Sequence, residues 1–438
     1  MKKASEIFEI LRQEMHSEDF MRSFRLSTKA FVRERTLTFT TILSFVLNLL
    51  RKSIPKELNN FSGQLQVART TRSAVTQARA KFSSQAFVKL NKTLLKEFYT
   101  NNDFKTYHGF IPLAIDGSTV QLPNSSEVIE TFGFASNQTE HTMPMARVSM
   151  LHDTLNGITL DARIKPYCIS EKDIVIEHLE AIKDLQLDLG KILIIFDRGY
   201  PSYSLIYYLL ENGMFFLIRC GGGFLKEINE TVKAGIKDKI QTIPFKRASK
   251  DAKEAIARLF PDHLPNEITF RVVVLELKTG EQEVLLTSLM CTETYPLNIF
   301  LNLYFSRWNI EEGYKFYKSG VEIENFSGKS VLSVEQDFHA TVLATNARAL
   351  LSLEASREIQ KDEENLSRKY EYVVNKKVSM EGLKHDFVKV LLNRGYDIEA
   401  FCSRVKSTMK KDRIPIRPGR NFKRVVKHRR RKFHMNQR

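Results

Sequence analysis

The fold is decided by one stretch of the chain, Phe110-Ile111-Pro112-Leu113-Ala114-Ile115-Asp116-Gly117-Ser118. The apolar run predicts a β-strand, and the Asp-Gly-Ser after it predicts that a carboxylate stands where this strand ends. Strand ends collect catalytic groups in α/β folds, because the sheet holds them in place while the adjoining loop leaves them accessible. Taken alone, Asp116 is better explained as the first residue of a turn.

A second carboxylate follows a second apolar run. Residues 192–196 are Ile-Leu-Ile-Ile-Phe, which is typical of a strand buried on both faces, and Asp197 comes directly after them. Between the two runs the sequence predicts a hairpin at Asn156-Gly157 and a helix over 170–187 with a serine N-cap. Strands and helices in this order indicate an α/β fold. On its own, Asp197 can also be a structural partner of Arg198.

A third pattern lies on a predicted helix further along the chain. Tyr304, Arg307, Glu311 and Lys318 follow one another at steps of three, four and seven residues, which places the four side chains on one stripe of a helix. Apolar neighbours can supply the buried side of that helix. The alternative is an ordinary surface helix on which Arg307 and Glu311 form an ion pair.

The chain is strongly basic, with a formal net charge of +16 and a sequence pI near 9.5. Basic residues concentrate at the two ends, as in the run at 427–432, which indicates DNA or RNA as a partner ahead of an anionic membrane. The alternative is that this charge only keeps the protein soluble. No signal-peptide pattern follows Met1, and the longest apolar stretch, 39–50, is too short to span a bilayer, so we expect a cytoplasmic protein without a membrane anchor.

The N-terminal part predicts helices with a face that can contact DNA. Apolar residues return every three or four positions over 5–99, and 67–82 resembles the second helix of a pair across a turn. Arg72 and Arg79 on that helix can neutralise phosphates or pair with base edges. The same pattern also describes any solvated helix face.

Together these residues resemble the DDE transposases of bacterial insertion sequences, specifically the insertion-sequence-four family. The match is carried by Ile115-Asp116-Gly117-Ser118, by Asp197-Arg198-Gly199-Tyr200 and by the Tyr304, Arg307, Glu311, Lys318 signature, and it spans roughly 32–353. The resemblance implies an α/β fold: a ribonuclease-H-like mixed sheet flanked by helices, interrupted by an inserted β module and preceded by an N-terminal helical domain.

The resemblance and the pattern together divide the chain into five expected segments. They are a helical DNA-end-binding domain at 1–100, the first part of the catalytic core at 105–220, an inserted β module at 221–292, the helical remainder of the core at 293–357, and a basic C-terminal region at 358–438.

The resemblance also implies the roles of the site residues. Asp116, Asp197 and Glu311, rather than the neighbouring Glu312, are expected to be catalytic and to hold two divalent metal ions, Mg²⁺ or Mn²⁺. The DNA contacts are expected from Arg307 and Lys318 on phosphates, Tyr304 on the backbone or a base, and Arg198, Arg72 and Arg79.

The implied activity is DNA transposition. We expect a homodimer in a synaptic complex that binds the inverted repeats of its element, cleaves the double-stranded ends and joins the 3′-hydroxyls to target DNA, in the bacterial cytoplasm and nucleoid-associated when bound. Family members often use a hairpin end and stack an aromatic residue on a displaced base, but no residue here matches that role, because the only tryptophan, Trp308, lies in the predicted catalytic helix. The alternatives are a ribonuclease-H-like nuclease without strand transfer and a catalytically silent DNA-binding protein.

Overall fold

The structure is a computed structural model of the chain. It describes residues 2–33, 36–48, 53–65, 70–101, 104–135, 143–221, 223–277, 279–364 and 369–417. The basic run at 427–432 and residues 67–69 of the predicted DNA-reading helix lie outside the described residues.

Six helices form the N-terminal part of the described chain: α1 (Ala4–Met15), α2 (Glu18–Phe24), α3 (Phe39–Leu47), α4 (Ile54–Leu65), α5 (Arg72–Arg79) and α6 (Gln85–Asn101). Hydroxyl side chains begin three of them, since Ser17, Thr38 and Thr71 each accept a hydrogen bond from an amide in the first turn of α2, α3 and α5. The predicted run of helices over 5–99 is therefore present.

The centre of the molecule is one mixed sheet with nine described strands. They are β1 (Ile111–Gln121), β2 (Phe134–Ala135), β3 (Met143–Asp153), β4 (Ile158–Pro166), β5 (Ile192–Phe196), β6 (Phe215–Cys220), β7 (Asp238–Pro244), β8 (Glu267–Glu276) and β9 (Gln282–Thr287). β1 runs parallel to β5, and β5 runs parallel to β6, while β3 pairs antiparallel with β1 and with β4. This arrangement confirms the predicted ribonuclease-H-like mixed sheet.

The segment predicted as an inserted β module does not form a sheet of its own. β9 pairs antiparallel with β6, from Leu217 opposite Thr287 to Cys220 opposite Val284, and β8 and β7 follow in order. Because the chain returns to the edge of β6, the insertion lengthens the central sheet instead of standing apart from it. Two helices accompany these strands, α10 (Lys226–Lys233) and α11 (Lys250–Leu259).

Helices cover both faces of the sheet. The helices of this middle part are α7 (Ser126–Phe132), α8 (Glu171–Asp184), α9 (Tyr203–Glu211), α12 (Leu297–Phe305), α13 (Trp308–Lys315) and α14 (Val331–Glu364). The strand β5 shows why its run is apolar throughout: Ile192, Ile194 and Phe196 pack into the main core on one face, while Leu193 and Ile195 pack into a second cluster with α12 on the other. The predicted burial on both faces is confirmed.

The two ends of the described chain share one core. α15 (Lys376–Leu392), α16 (Ile398–Lys411) and the short pair β10 (Tyr372–Val373) and β11 (Ile414–Pro415) complete the fold. The ring of Phe8 in α1 lies 5.2 Å from that of Phe387 in α15. Among the described residues, no helix is both long and apolar enough to cross a membrane.

Candidate active site

Asp116 in β1 and Asp197, directly after β5, occupy equivalent places relative to the pairing of these two parallel strands. Ala114 of β1 stands opposite Ile195 of β5, so each aspartate lies two residues beyond a paired position. The sequence placed Asp116 at the end of its strand, but β1 continues to Gln121, because β3 pairs with it over its whole outer half. The parallel pairing between β1 and β5, in contrast, ends at Ala114 and Ile195. Both aspartates therefore lie just past the end of this pairing, at one edge of the sheet.

Glu311 reaches this edge on α13, which packs against β1. The hydroxyl of Tyr314 in α13 donates to the carbonyl oxygen of Asp116 at 2.7 Å and so ties the helix to the strand. Arg307 donates to Glu311 Oε1 at 3.1 Å, and Lys318 Nζ donates to Ser118 Oγ at 2.7 Å. Lys318 therefore contacts the middle of β1, and Arg307 lies close enough to Asp116 for their charges to interact.

The sequence predicted that the signature lies on one continuous helix, but the structure divides this part of the chain into separate elements. α12 ends at Phe305, α13 begins at Trp308, and a π-helical turn follows at Phe316–Gly320. The first interruption coincides with Ser306, whose hydroxyl donates to the carbonyl of Leu303 at 2.7 Å. The second depends on Gly320, where a Cβ atom would overlap the ring of Phe316. The stripe is thus assembled from three short elements.

Three of the predicted DNA-contacting residues are buried: Tyr304, Arg79 and Arg307, of which Arg307 is 6 % exposed and pairs with Glu311. Tyr304 is 3 % exposed and packs in the cluster between α12 and the sheet, with the Arg307 guanidinium 5.9 Å from its ring centre. Arg79 is 6 % exposed and forms an ion pair with Asp337 of α14 at 2.7 Å. Its remaining donors bond to Gln336, Ser327 and the carbonyl of Ser333. Arg79 is thus occupied in holding α5 to α14 and does not face a DNA partner.

The other two predicted arginines are exposed. Arg72 is the first residue of α5 and Arg198 follows Asp197 directly. Arg198 lies beside the site, whereas Arg72 belongs to the N-terminal helices.

Burial makes the charge of Asp116 costly. It raises the pKa of this carboxyl to about 7, and Asp197 and Glu171 add to the rise, while the Gly117 amide and Arg307 oppose it. A nearby cation would offset the same cost. The carboxylates of Asp116, Asp197 and Glu311 are hard oxygen donors of the kind that Mg²⁺ and Mn²⁺ accept, so the donor set fits such an ion.

The three carboxylates are not already clustered as ligands. Within the described ranges, no group of three or more His, Cys, Asp or Glu side chains is close enough to hold a metal ion together. Arg307 lowers the pKa of Asp116 through its charge and also pairs with Glu311. The guanidinium thus neutralises part of the negative charge that a cation would neutralise.

The sequence did not point to Glu171, which also lies at this site. Its carboxylate accepts from Arg147 of β3 at 3.0 Å and from the hydroxyl of Tyr200 at 3.5 Å. A Cβ atom at position 117 would overlap the Glu171 side chain, so the glycine after Asp116 is what lets this carboxylate come close. The predicted N-cap at Ser170 placed Glu171 in the first turn of α8, but no sequence pattern placed that turn over β1.

The chain is similar to known proteins in sequence and in structure. A sequence profile described as a transposase DDE domain matches residues 108–347. The transposase InsG for insertion sequence element IS4 of Escherichia coli (strain K12) is 23 % identical over 366 residues, which cover 82 % of this chain and 76 % of that protein. A piggyBac transposase, solved by cryo-electron microscopy as a synaptic complex with hairpin DNA, superimposes with a TM-score of 0.46 at 10 % identity, over 91 % of this chain and 84 % of that one.

Proposed function

The chain belongs to the family of transposases with a DDE domain, and from this we propose that Asp116, Asp197 and Glu311 are its three catalytic carboxylates. Family membership confirms the predicted resemblance to the insertion-sequence-four transposases and the predicted activity, metal-dependent cutting and joining of DNA. Enzymes of this family generally use divalent metal ions.

One observation carries the assignment of the residues. Asp116 and Asp197 stand two residues beyond a matched pair on parallel strands, and α13 brings Glu311 to the same edge through the bond from Tyr314 to Asp116. A shared edge of this kind is not needed for a surface ion pair between Arg307 and Glu311. It is what a centre for phosphoryl transfer requires, because such catalysis depends on positioning and on charge.

In this proposal the trio holds two ions, Mg²⁺ or Mn²⁺. When bound, the ions would activate a water or a 3′-hydroxyl and stabilise the leaving oxygen at phosphorus. Lys318 would bind a phosphate that flanks the scissile bond, and Arg307, which is buried and paired with Glu311, would bind a second phosphate by giving up that pair. Arg198, exposed beside Asp197, would contact a further phosphate.

The N-terminal helices are proposed to recognise the ends of the element, and Arg72 at the exposed start of α5 is a candidate contact. The protein would bind double-stranded DNA, both inverted repeats and target, as a homodimer in a synaptic complex. It would act in the bacterial cytoplasm on nucleoid DNA. Supporting this are the family and the excess of basic over acidic residues, 67 to 51.

The test is Mg²⁺-dependent cleavage of a labelled plasmid that carries the flanking inverted repeats, followed by strand transfer of the cut ends. Wild type is compared with Asp197→Ala and Glu311→Gln, with Glu312→Gln as the matched control. We expect wild type and the control to cut and join at the repeat ends, and the two site variants to bind the ends without cutting them.

Other outcomes identify the alternatives. Cleavage without strand transfer would mean a nuclease on the same fold, and end binding without any cleavage by wild type would mean a silent DNA-binding protein. Full activity in Glu311→Gln would remove Glu311 from the trio.

A further inference from the structure

Three buried polar side chains form a row of contacts that ends at the main chain of Asp116. Ser149 lies on β3, Asp161 on β4 and His178 on α8; the first and the last are fully buried and Asp161 is 9 % exposed. His178 Nδ1 lies 2.8 Å from Asp161 Oδ2, and its Nε2 lies 2.8 Å from Ser149 Oγ. Ser149 Oγ donates to the carbonyl oxygen of Asp116 at 3.3 Å. Because the single hydroxyl proton of Ser149 goes to Asp116, the path of hydrogen bonds is continuous when His178 donates from both ring nitrogens, to Asp161 and to Ser149.

A serine, a histidine and an aspartate in this order also build the nucleophile of many hydrolases. That role is closed here, since Ser149 has no exposed surface and its hydroxyl cannot meet a substrate. Yet a buried polar set is costly unless each group is satisfied, and an apolar set would fill the same space at less cost. Here the set is satisfied, and Arg163 also donates to Asp161 Oδ2 at 2.6 Å. A satisfied network of this kind is rigid.

This network is hydrogen-bonded to the peptide group that joins Asp116 to Gly117. Its carbonyl accepts from Ser149 at 3.3 Å and from Tyr314 at 2.7 Å. Its amide, on Gly117, donates to Asp116 Oδ1 at 3.0 Å. Fixing the plane of this peptide therefore fixes the direction in which the Asp116 carboxylate points.

We propose that Asp161, His178 and Ser149 are positioning residues that orient the Asp116 carboxylate through the Asp116–Gly117 peptide. The proposal rests on the proposed catalytic role of Asp116. α8 carries two of the residues around Asp116: His178, which is buried against the sheet, and its first residue, Glu171, which lies next to Gly117.

The sequence offers a direct probe, because Asp116-Gly117 is its only Asp-Gly dipeptide. In full-length protein labelled with ¹³C at aspartate carbonyls and ¹⁵N at glycine, one amide-to-carbonyl NMR correlation reports on this peptide alone. The comparison is among wild type, Ser149→Ala, His178→Phe and Ser44→Ala. Ser44 in α3 is the matched control, a fully buried serine whose hydroxyl has no hydrogen-bond partner within the part of the chain that the structure describes.

We expect Ser149→Ala and His178→Phe to move this signal without metal or DNA, and Ser44→Ala to leave it in place. In the plasmid assay the two network variants should cleave about 10- to 100-fold more slowly, as is typical when a residue behind a metal ligand is lost. Their binding to the repeat ends should stay at the wild-type level.

An unmoved signal in Ser149→Ala would overturn the proposal, as would a wild-type cleavage rate in both network variants. His178→Gln is the second variant in case His178→Phe does not fold. If wild type itself does not cut DNA, the NMR comparison still decides whether the network holds the peptide, and the failure falls on the proposed function alone.

Discussion

On one side of the candidate active site, Asp116 lies in β1 and Asp197 directly follows the paired strand β5; on the other, Glu311 lies on a short helix between two irregular turns. The strand side is held by main-chain pairing, with β3 along β1 and β5 beside it. The helix side is held to β1 by two side-chain bonds, from Tyr314 to Asp116 and from Lys318 to Ser118. The same site is thus built with two kinds of support.

The difference shows that the two sides can be perturbed separately. A change on the strand side alters a group that main-chain pairing and the buried Ser149, His178 and Asp161 hold in place. A change on the helix side alters how firmly the helix is attached and how much positive charge it presents. The predictions below use this contrast, from the largest expected effect to the smallest.

The first prediction concerns the strand side. Asp116→Asn should reduce cleavage at the repeat ends by about ten-thousandfold, because a neutral amide replaces a proposed metal-binding carboxylate and several kcal/mol of transition-state stabilisation are lost. Cleavage rates at saturating Mg²⁺ measure the effect, with end binding as the check that the fold survives. A loss of less than about tenfold would take Asp116 out of the chemistry.

The strand side is also the part that the sequence predicts best. The apolar run before Asp116 and the run over 192–196 specify two buried strands, and parallel strands in one sheet bring their following residues to one edge. What the sequence missed is that β1 continues past Asp116, since its outer half depends on pairing with β3, which is a tertiary contact.

The helix side was predicted in its residues but not in its geometry. Steps of three, four and seven fit one helix, yet Ser306 and Gly320 interrupt it through a local side-chain bond and a close ring contact. Glu171 and the buried His178 were not predicted, because both come to the site from α8, and nothing in its sequence states where it docks. Arg79 shows the reverse error: a basic residue on a helix predicted a DNA contact, but the helix turns this side chain inward to Asp337.

A second prediction follows from the cost of burying Asp116. The pKa of its carboxyl is about 7 in the fold against an ordinary 3.8, so the folded chain holds this proton more tightly than the unfolded chain. The resulting stabilisation is complete below about pH 4 and is lost as the pH rises to about 7, by at most about 4 kcal/mol. In EDTA, Asp116→Asn should therefore be more stable than wild type at pH 8 and nearly equal to it at pH 4.

Urea unfolding at the two pH values measures this difference. Asp184→Asn, at a carboxyl that is 63 % exposed, is the control and should leave the pH dependence as it is in wild type. The same steep loss of stability in Asp116→Asn as in wild type would assign it to another group.

A third prediction tests the contact between Gly117 and Glu171. Gly117→Ala should cost about 1–3 kcal/mol in stability or rate, because the added methyl group overlaps the Glu171 side chain. Adding Glu171→Ala should recover part of this loss, since the side chain in the way is then gone. Cleavage rates and unfolding curves of both single variants and the double variant form the cycle, and strict additivity would show that the two residues do not meet.

The smallest expected effect is on the helix side. Lys318→Ala should weaken binding of the repeat ends several-fold and lower the slope of log affinity against log salt by about 0.9, which corresponds to one phosphate contact. Lys315→Ala is the matched control, because Lys315 ends α13 just before the π-helical turn that carries Lys318, but is exposed and pairs with Glu312. An equal change in both variants would mean that only the net charge of the helix matters. A lower slope in Lys318→Ala alone would mean that Lys318 itself contacts a phosphate. The hydrogen bond to Ser118 would then hold the Lys318 ammonium in position for the DNA, so the helix side would be ordered before DNA binds, as the strand side is.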